Sequence, residues 1–138
     1  MQGRELTLID DSYNANPDSV RAAIEVLAEL PAPRLLVLGD MGEVRNQGAQ
    51  FHAEVGALAR ERGIEYLYTL GTLARQTSES FGAGRHFASV DALTAELLNS
   101  LPGLRSVLVK GSRFMQMERV VGALCGAQPV NQEIVHVA

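Results

Sequence analysis

The sequence predicts an α/β fold, a three-layer α/β/α sandwich on a mostly parallel sheet of five or six strands. Three observations lead there. Short apolar runs alternate with amphipathic stretches along the 138 residues, the pattern of strands feeding crossover helices. The run 35–38 reads Leu-Leu-Val-Leu, apolar at every position, as in a strand covered on both faces. A hydrophobic fraction of 46% with 20% charged residues suits one compact domain of the commonest size, about 100–150 residues. Right-handed crossovers then place helices on both faces of the sheet, which makes the fold Rossmann-like.

The first strand is expected over 5–9, stopped by Asp10 and Asp11. Asn16 and Pro17 open a helix, because Asn caps well and Pro favours the first helical position. Asp18 lies in its first turn, where the helix dipole favours an anion. Val20, Ala23, Ile24, Leu27 and Leu30 recur at helical spacing and mark its buried face. Pro31 and Pro33 end it. The second strand is 34–38, followed by a polar loop over 39–48 with three glycines. A helix over 50–62 turns Phe51, Val55, Leu58 and Ala59 inward and stops at Gly63.

The third strand is 65–70, and Gly71-Thr72 opens a short helix to about 81, broken by Gly82 and Gly84. A fourth strand spans 85–88. Ser89 caps a helix with Leu93, Leu97, Leu98 and Leu101 on one side. Pro102-Gly103 turns the chain into a fifth strand over 106–109, then a loop over 110–113. The last helix, 114–124, turns Met117, Val120, Val121 and Leu124 inward. The domain is expected to span 1–126. Residues 126–131 read as a linker, and 127–138 as a tail or a possible edge strand.

Twelve Lys and Arg against sixteen Asp and Glu give a net charge of −4, which speaks against a basic nucleic-acid footprint. The single cysteine, Cys125, excludes an internal disulfide and a cysteine-based zinc site. No apolar run approaches the ~20 residues that span a bilayer, and no apolar signal-peptide core follows Met1. These features suit a protein of a reducing, cytoplasmic compartment.

In parallel sheets ligands bind beyond the carboxyl ends of the strands, and polar residues gather there. The first strand ends in Asp10-Asp11-Ser12-Tyr13-Asn14-Ala15-Asn16, the second in Gly39-Asp40-Met41-Gly42-Glu43, the fifth in Lys110-Gly111-Ser112-Arg113. Each also has a plain structural reading. Asn16 caps a helix whatever else it does. Asp10 and Asp11 are equally a solvated strand end, and Asp40 and Glu43 equally loop solubilisers. His52 reads first as a histidine that packs or caps. His86 and His136 have no partner at metal-ligand spacing. Lys110, Ser112 and Arg113 before a helix have the parts of an anion site. The chain has no G-x-x-x-x-G-K-[ST] phosphate loop, no G-x-G-x-x-G and no G-x-S-x-G, so it is not a self-sufficient P-loop nucleotidase.

From residues alone, three classes stand side by side. A signalling receiver domain has an acidic pair after its first strand and a lysine after its fifth, which Asp10, Asp11 and Lys110 mimic. The phosphorylatable aspartate it needs after the third strand is replaced by Leu70-Gly71-Thr72. A non-catalytic assembly domain has nothing positive in its favour. A nucleotide- or substrate-gripping domain of a larger enzyme fits the polar strand ends.

Taken in order, the motif at 10–17, the Leu-Gly-Asp-Met-Gly-Glu motif at 38–43, His52, and Val-Lys-Gly-Ser-Arg at 109–113 with Met117-Glu118 resemble the C-terminal domain of the Mur ligases. The likeness covers residues 3–126 and is strongest to the branch that adds D-alanyl-D-alanine to UDP-N-acetylmuramoyl-tripeptide in peptidoglycan precursor synthesis. Other Mur and folylpolyglutamate-type ligases carry a shorter first motif and a different last loop. After Glu43 this chain has Val44, where a leucine followed by glycine is usual.

The resemblance implies an ATP-dependent ligase of the bacterial cytoplasm, working through an acyl phosphate. Its N-terminal domain would hold the UDP-sugar peptide, and its central domain the phosphate loop and the ligands of Mg2+. The C-terminal domain would close over ATP and bring the amine substrate. Carried onto this sequence, Asp11, Asn14 and Asn16 would contact ATP. Asp40, Glu43 and His52 would line the cleft between domains. Lys110, Ser112 and Arg113 would lie near D-alanyl-D-alanine or the transferred phosphate. No residue of this chain is expected to ligate a metal or to complete the catalytic site alone, and no nucleic-acid or membrane partner is implied.

Overall fold

A computed structural model describes residues 6–11, 16–41, 47–111, 117–127 and 132–136. Strands and helices alternate as β1 (Leu6–Asp11), α1 (Pro17–Ala28), β2 (Arg34–Gly39), α2 (Gly48–Glu61), β3 (Tyr66–Leu70), α3 (Ala74–Phe81), β4 (Arg85–Phe87), α4 (Val90–Ser100), β5 (Ser106–Lys110), α5 (Glu118–Ala127) and β6 (Gln132–His136). The six strands form one sheet in the order β4-β3-β2-β5-β1-β6, with every pairing parallel. The expected α/β sandwich is therefore the observed fold, and residues 132–136 close one edge of its sheet against β1.

The alternation of each strand sorts its side chains into two cores. Ile9, Leu36, Leu38, Leu67 and Leu108 pack against Val20, Ala23, Ile24 and Leu27 of α1, Val55 and Ala59 of α2, and Phe81 of α3. Leu8, Leu35, Val37, Tyr68, Val107 and Val109 face the other way, onto Leu93 and Leu97 of α4 and Val120 and Val121 of α5. The central strands β2 and β5 are buried along nearly their whole length, which is why their sequences are continuous rather than alternating apolar runs.

The ends of α1 follow from its sequence. Asn16 Oδ1 accepts the Ser19 N–H at 2.9 Å, and Ser19 Oγ accepts the Asn16 N–H at 3.0 Å, a reciprocal cap that satisfies two orphan donors. At the far end Arg34 ties three segments together. Its guanidinium donates to the Ala28 carbonyl at 2.6 Å, the Gly63 carbonyl at 2.8 Å and the Glu65 carboxylate at 3.0 Å. The bond from Arg34 holds the Glu65 carboxyl below its ordinary range.

Several boundaries differ from the sequence expectation, most by a residue or two, as where α2 starts at Gly48 rather than at 50. β1 runs through both aspartates, because β5 continues beside it as far as the Asp11–Lys110 pair and β6 pairs as far as Asp10. The backbone ladder, not side-chain polarity, sets where that strand ends. Helix α3 begins at Ala74 rather than at Gly71, for a reason that lies in the site described below. Helix α5 is described from Glu118 and runs to Ala127, into the expected linker; residues 114–116 of its expected start lie outside the described residues. Among the described residues no helix is long and apolar enough to cross a membrane.

Candidate functional site

The topology makes one crevice. After β2 the chain leaves through α2 toward β3, and after β5 it leaves through α5 toward β6, on the opposite side. β2 and β5 are neighbours, so their following segments diverge. Such a switch point at the carboxyl edge of a parallel sheet is where ligands bind. Asp11, Lys110 and Leu38 occupy one register row across β1, β5 and β2, and Gly39-Asp40-Met41 continue beyond it. The ends of β1, β2 and β5, from which the expected site segments leave, thus lie side by side at one edge.

Lys110 is only 1% exposed. Strand alternation puts it on the side of α1–α3, with Leu108 and Leu38. A lysine removed from water must be compensated by polar partners or anions, since an isolated buried ammonium is costly. This is no loose surface residue; it is a buried lysine at the end of β5, in the row that borders the crevice.

Asp40 and His52, expected along the cleft, are both turned into the fold. The Asp40 Oδ1 accepts the Ala74 N–H at 2.7 Å, so a carboxylate from the end of β2 caps α3 across the domain. This defines the start of that helix. Gly71 makes room for it. Its φ is +112°, and a Cβ there would overlap the Asp40 carboxylate, so the turn from β3 to α3 requires glycine twice over.

His52 is fully buried. Its Nε2 accepts the Met41 N–H at 3.0 Å, and its Nδ1 lies 2.7 Å from the Gly48 carbonyl. An acceptor at Nε2 and a donor at Nδ1 assign the neutral Nδ1–H tautomer. Burial pushes the ring below the ordinary histidine range, against the Gly48 bond and the Asp40 charge, which favour the cation. Thr77 Oγ1 of α3 donates to the His52 carbonyl at 2.7 Å. β2, α2 and α3 are therefore hydrogen-bonded in a closed ring: Met41 to His52, His52 to Thr77, and α3 back to Asp40.

Of the other expected residues, Asn16 is at the N-terminus of α1, on the same edge as the strand ends, with its carbonyl oxygen engaged by the cap. Asp11 ends β1 in the row of Lys110; its side chain, and the whole of Asn14, Glu43, Ser112 and Arg113, lie outside the described residues. Sequence reasoning passed over the ends of β3 and β4. There the buried Thr69 Oγ1 is 2.8 Å from His86 Nδ1, and burial, then the charge of Arg75, lowers the His86 pKa. A threonine inside an otherwise apolar strand was the available signal.

Known proteins share this fold. A family model described as Mur ligase, glutamate ligase domain, matches residues 1–113. The UDP-N-acetylmuramoyl-tripeptide–D-alanyl-D-alanine ligase of Escherichia coli (strain K12) is 44% identical over 119 residues, 85% of this chain and 26% of that protein. A crystal structure of MurF from Acinetobacter baumannii superposes with a TM-score of 0.76 at 31% identity, covering 83% of this chain and 27% of that one. The fold also matches that of MurF ligase from Thermotoga maritima in complex with ADP, with a TM-score of 0.74 at 23% identity, over 91% of this chain and 30% of that one. The chain spans about a quarter of the length of the curated relatives it matches. With well over half its residues matched by the family model and its strand ends gathered at one switch point, this chain belongs to the Mur ligase family, as its glutamate ligase domain.

Proposed function

We propose that the chain serves as the nucleotide- and amine-facing domain of an ATP-dependent ligase that joins D-alanyl-D-alanine to UDP-N-acetylmuramoyl-tripeptide. One observation carries the reading: a buried lysine, Lys110, stands at the crevice between β2 and β5 in a chain 44% identical to a ligase of that name. The donor set suits the substrates. A fixed ammonium offsets phosphate or carboxylate charge. Asp11, in the same row, is the group type that accepts hydrogen bonds from ribose hydroxyls, and Asn14 and Asn16 would join it at ATP.

In the reaction, a carboxylate oxygen of the tripeptide attacks the γ-phosphorus of ATP, and ADP leaves. The dipeptide amine attacks the acyl phosphate carbon, loses a proton, and phosphate leaves from the tetrahedral intermediate. Lys110, with Ser112 and Arg113, would stabilise the charge on the transferred phosphoryl group and hold the dipeptide carboxylate. Glu43 would wall the cleft, and Asp40 and His52, turned into the fold, would support that wall from behind. The acceptor, the phosphate loop and the ligands of Mg2+ are assigned to the N-terminal and central domains of the same ligase. ATP and a nucleotide-linked sugar as substrates place the reaction in the bacterial cytoplasm.

Phosphate release with ATP, Mg2+, UDP-N-acetylmuramoyl-tripeptide and D-alanyl-D-alanine tests the proposal. A ligase carrying this chain behind a phosphate loop should turn over, and the 138-residue chain alone should not exceed buffer. In the complete ligase Asp11→Ala should raise the KM for ATP about tenfold, the worth of one good hydrogen bond to a charged group. Dipeptide-dependent phosphate release by the 138-residue chain alone would overturn the division of labour.

A further inference from the structure

The ring that joins β2, α2 and α3 turns on one side chain. His52 is the sole link in it that bonds through both ends of its side chain. Nε2 takes the N–H of Met41, just past β2, and Nδ1–H reaches the carbonyl of Gly48, the first residue of α2. These two backbone groups flank residues 42–46. The same side chain therefore ties the chain two residues past β2 to the first residue of α2. It is fully buried, so it offers nothing to a ligand directly. Met41 follows Asp40, whose carboxylate is already committed to the Ala74 N–H.

We propose that His52 is a positioning residue for ligation, which holds the carboxyl end of β2 at the switch point through the Met41 N–H, while the Gly48 carbonyl orients its ring. The proposal rests on the reading of that edge as a ligase cleft. It replaces a direct contact of His52 with substrate by an indirect role. The two bonds need opposite characters at the two ring nitrogens, so only the neutral imidazole makes both. A second proton would place an N–H at Nε2 against the Met41 N–H.

Of the elements packed against the ring, the end of β2 brings Asp40 and α3 brings the uncharged Thr77. Asp40 is the charged group that acts on the ring, and it favours the cation; burial outweighs it. The folded value thus lies below the ~6.5 of an unperturbed histidine. Folding then binds fewer protons than unfolding between those values. The contribution is complete above about 6.5 and is lost as pH falls through the folded value.

Two substitutions separate the two bonds. His52→Gln keeps an acceptor near the position of Nε2, and His52→Asn keeps a donor near that of Nδ1. In the complete ligase, His52→Gln should retain at least half of kcat, and His52→Asn should lose about tenfold in kcat with the KM for ATP within twofold. Val55→Ala, buried one turn along the same helix, should lower thermal stability and leave kcat unchanged. Equal losses in the Gln and Asn variants, or a matching loss in Val55→Ala, would overturn the proposal.

Imidazole nitrogen NMR of the 138-residue chain needs neither a variant nor turnover. It should show the Nδ1–H tautomer at pH 7, persisting to lower pH than in an unperturbed histidine. The Met41 amide should shift only as His52 titrates. An Nε2–H tautomer would overturn the proposal even in an active ligase, whereas an inactive ligase with the predicted tautomer would point to the cleft reading instead.

Discussion

Asp40 shows how a side chain at the carboxyl edge of the sheet can be committed to the fold. Its carboxylate leaves the end of β2, passes over Gly71 and meets the first N–H of α3. A negative charge at a helix N-terminus gains from both the unpaired N–H and the dipole. Asp40→Ala should therefore cost about 1–2 kcal/mol of stability, read from urea denaturation, and should speed amide exchange at Ala74 selectively. Asp40→Asn, which keeps an acceptor, should lose less than half as much. An unchanged Ala74 exchange rate in Asp40→Ala would refute the cap. The sequence offered Asp40 as a cleft residue or a loop solubiliser, since its partner lies 34 positions away and nothing nearby in the chain points to it. His52 was obscured in the same way. Its two bonds join local backbone groups, but its burial depends on how α2 and α3 meet.

At the scale of elements, legibility tracks the range of the contacts that define them. Helix α1 was readable at its start and along its apolar face, because its cap lies within four residues and that face repeats along the helix, although it stops at Ala28, before the prolines. The starts of α3 and the end of β1 were not, because each is set by a distant segment: the Asp40 carboxylate for one, the β5 and β6 ladders for the other. The α2–α3 contact adds a tight constraint. A Cβ at Gly56 would overlap the Thr77 carbonyl and come to 3.1 Å from the Phe81 nitrogen. Gly56→Ala should consequently destabilise the domain by roughly 1–3 kcal/mol, as overpacking does, despite the gain in helix propensity. A stabilising or neutral Gly56→Ala in urea denaturation would show that the helices part without cost. The same substitution should weaken the Thr77 and His52 link that lies one turn away.

For the whole molecule, the alternation of apolar runs with amphipathic stretches was enough for a parallel sheet with two covered faces, and the polar motifs pointed to the carboxyl edge of that sheet. Strand order was not readable. The jump from β4 back across β3 and β2 to β5 is what puts Lys110 beside β2 and opens the crevice there. Nor was it readable that Lys110 is 1% exposed, because a charged residue after an apolar strand looks like the start of a surface loop. The family match supplies the wider frame, a domain spanning about a quarter of its relatives, and the proposed function rests on the buried lysine at the switch point. Replacing that charge tests the account most directly. In a complete ligase containing this chain, Lys110→Gln should lower dipeptide-dependent phosphate release by about 10²–10³-fold, the loss typical of a removed charge-stabilising group, while the circular dichroism of the folded protein is kept. A folded Lys110→Gln ligase turning over at the wild-type rate would contradict it.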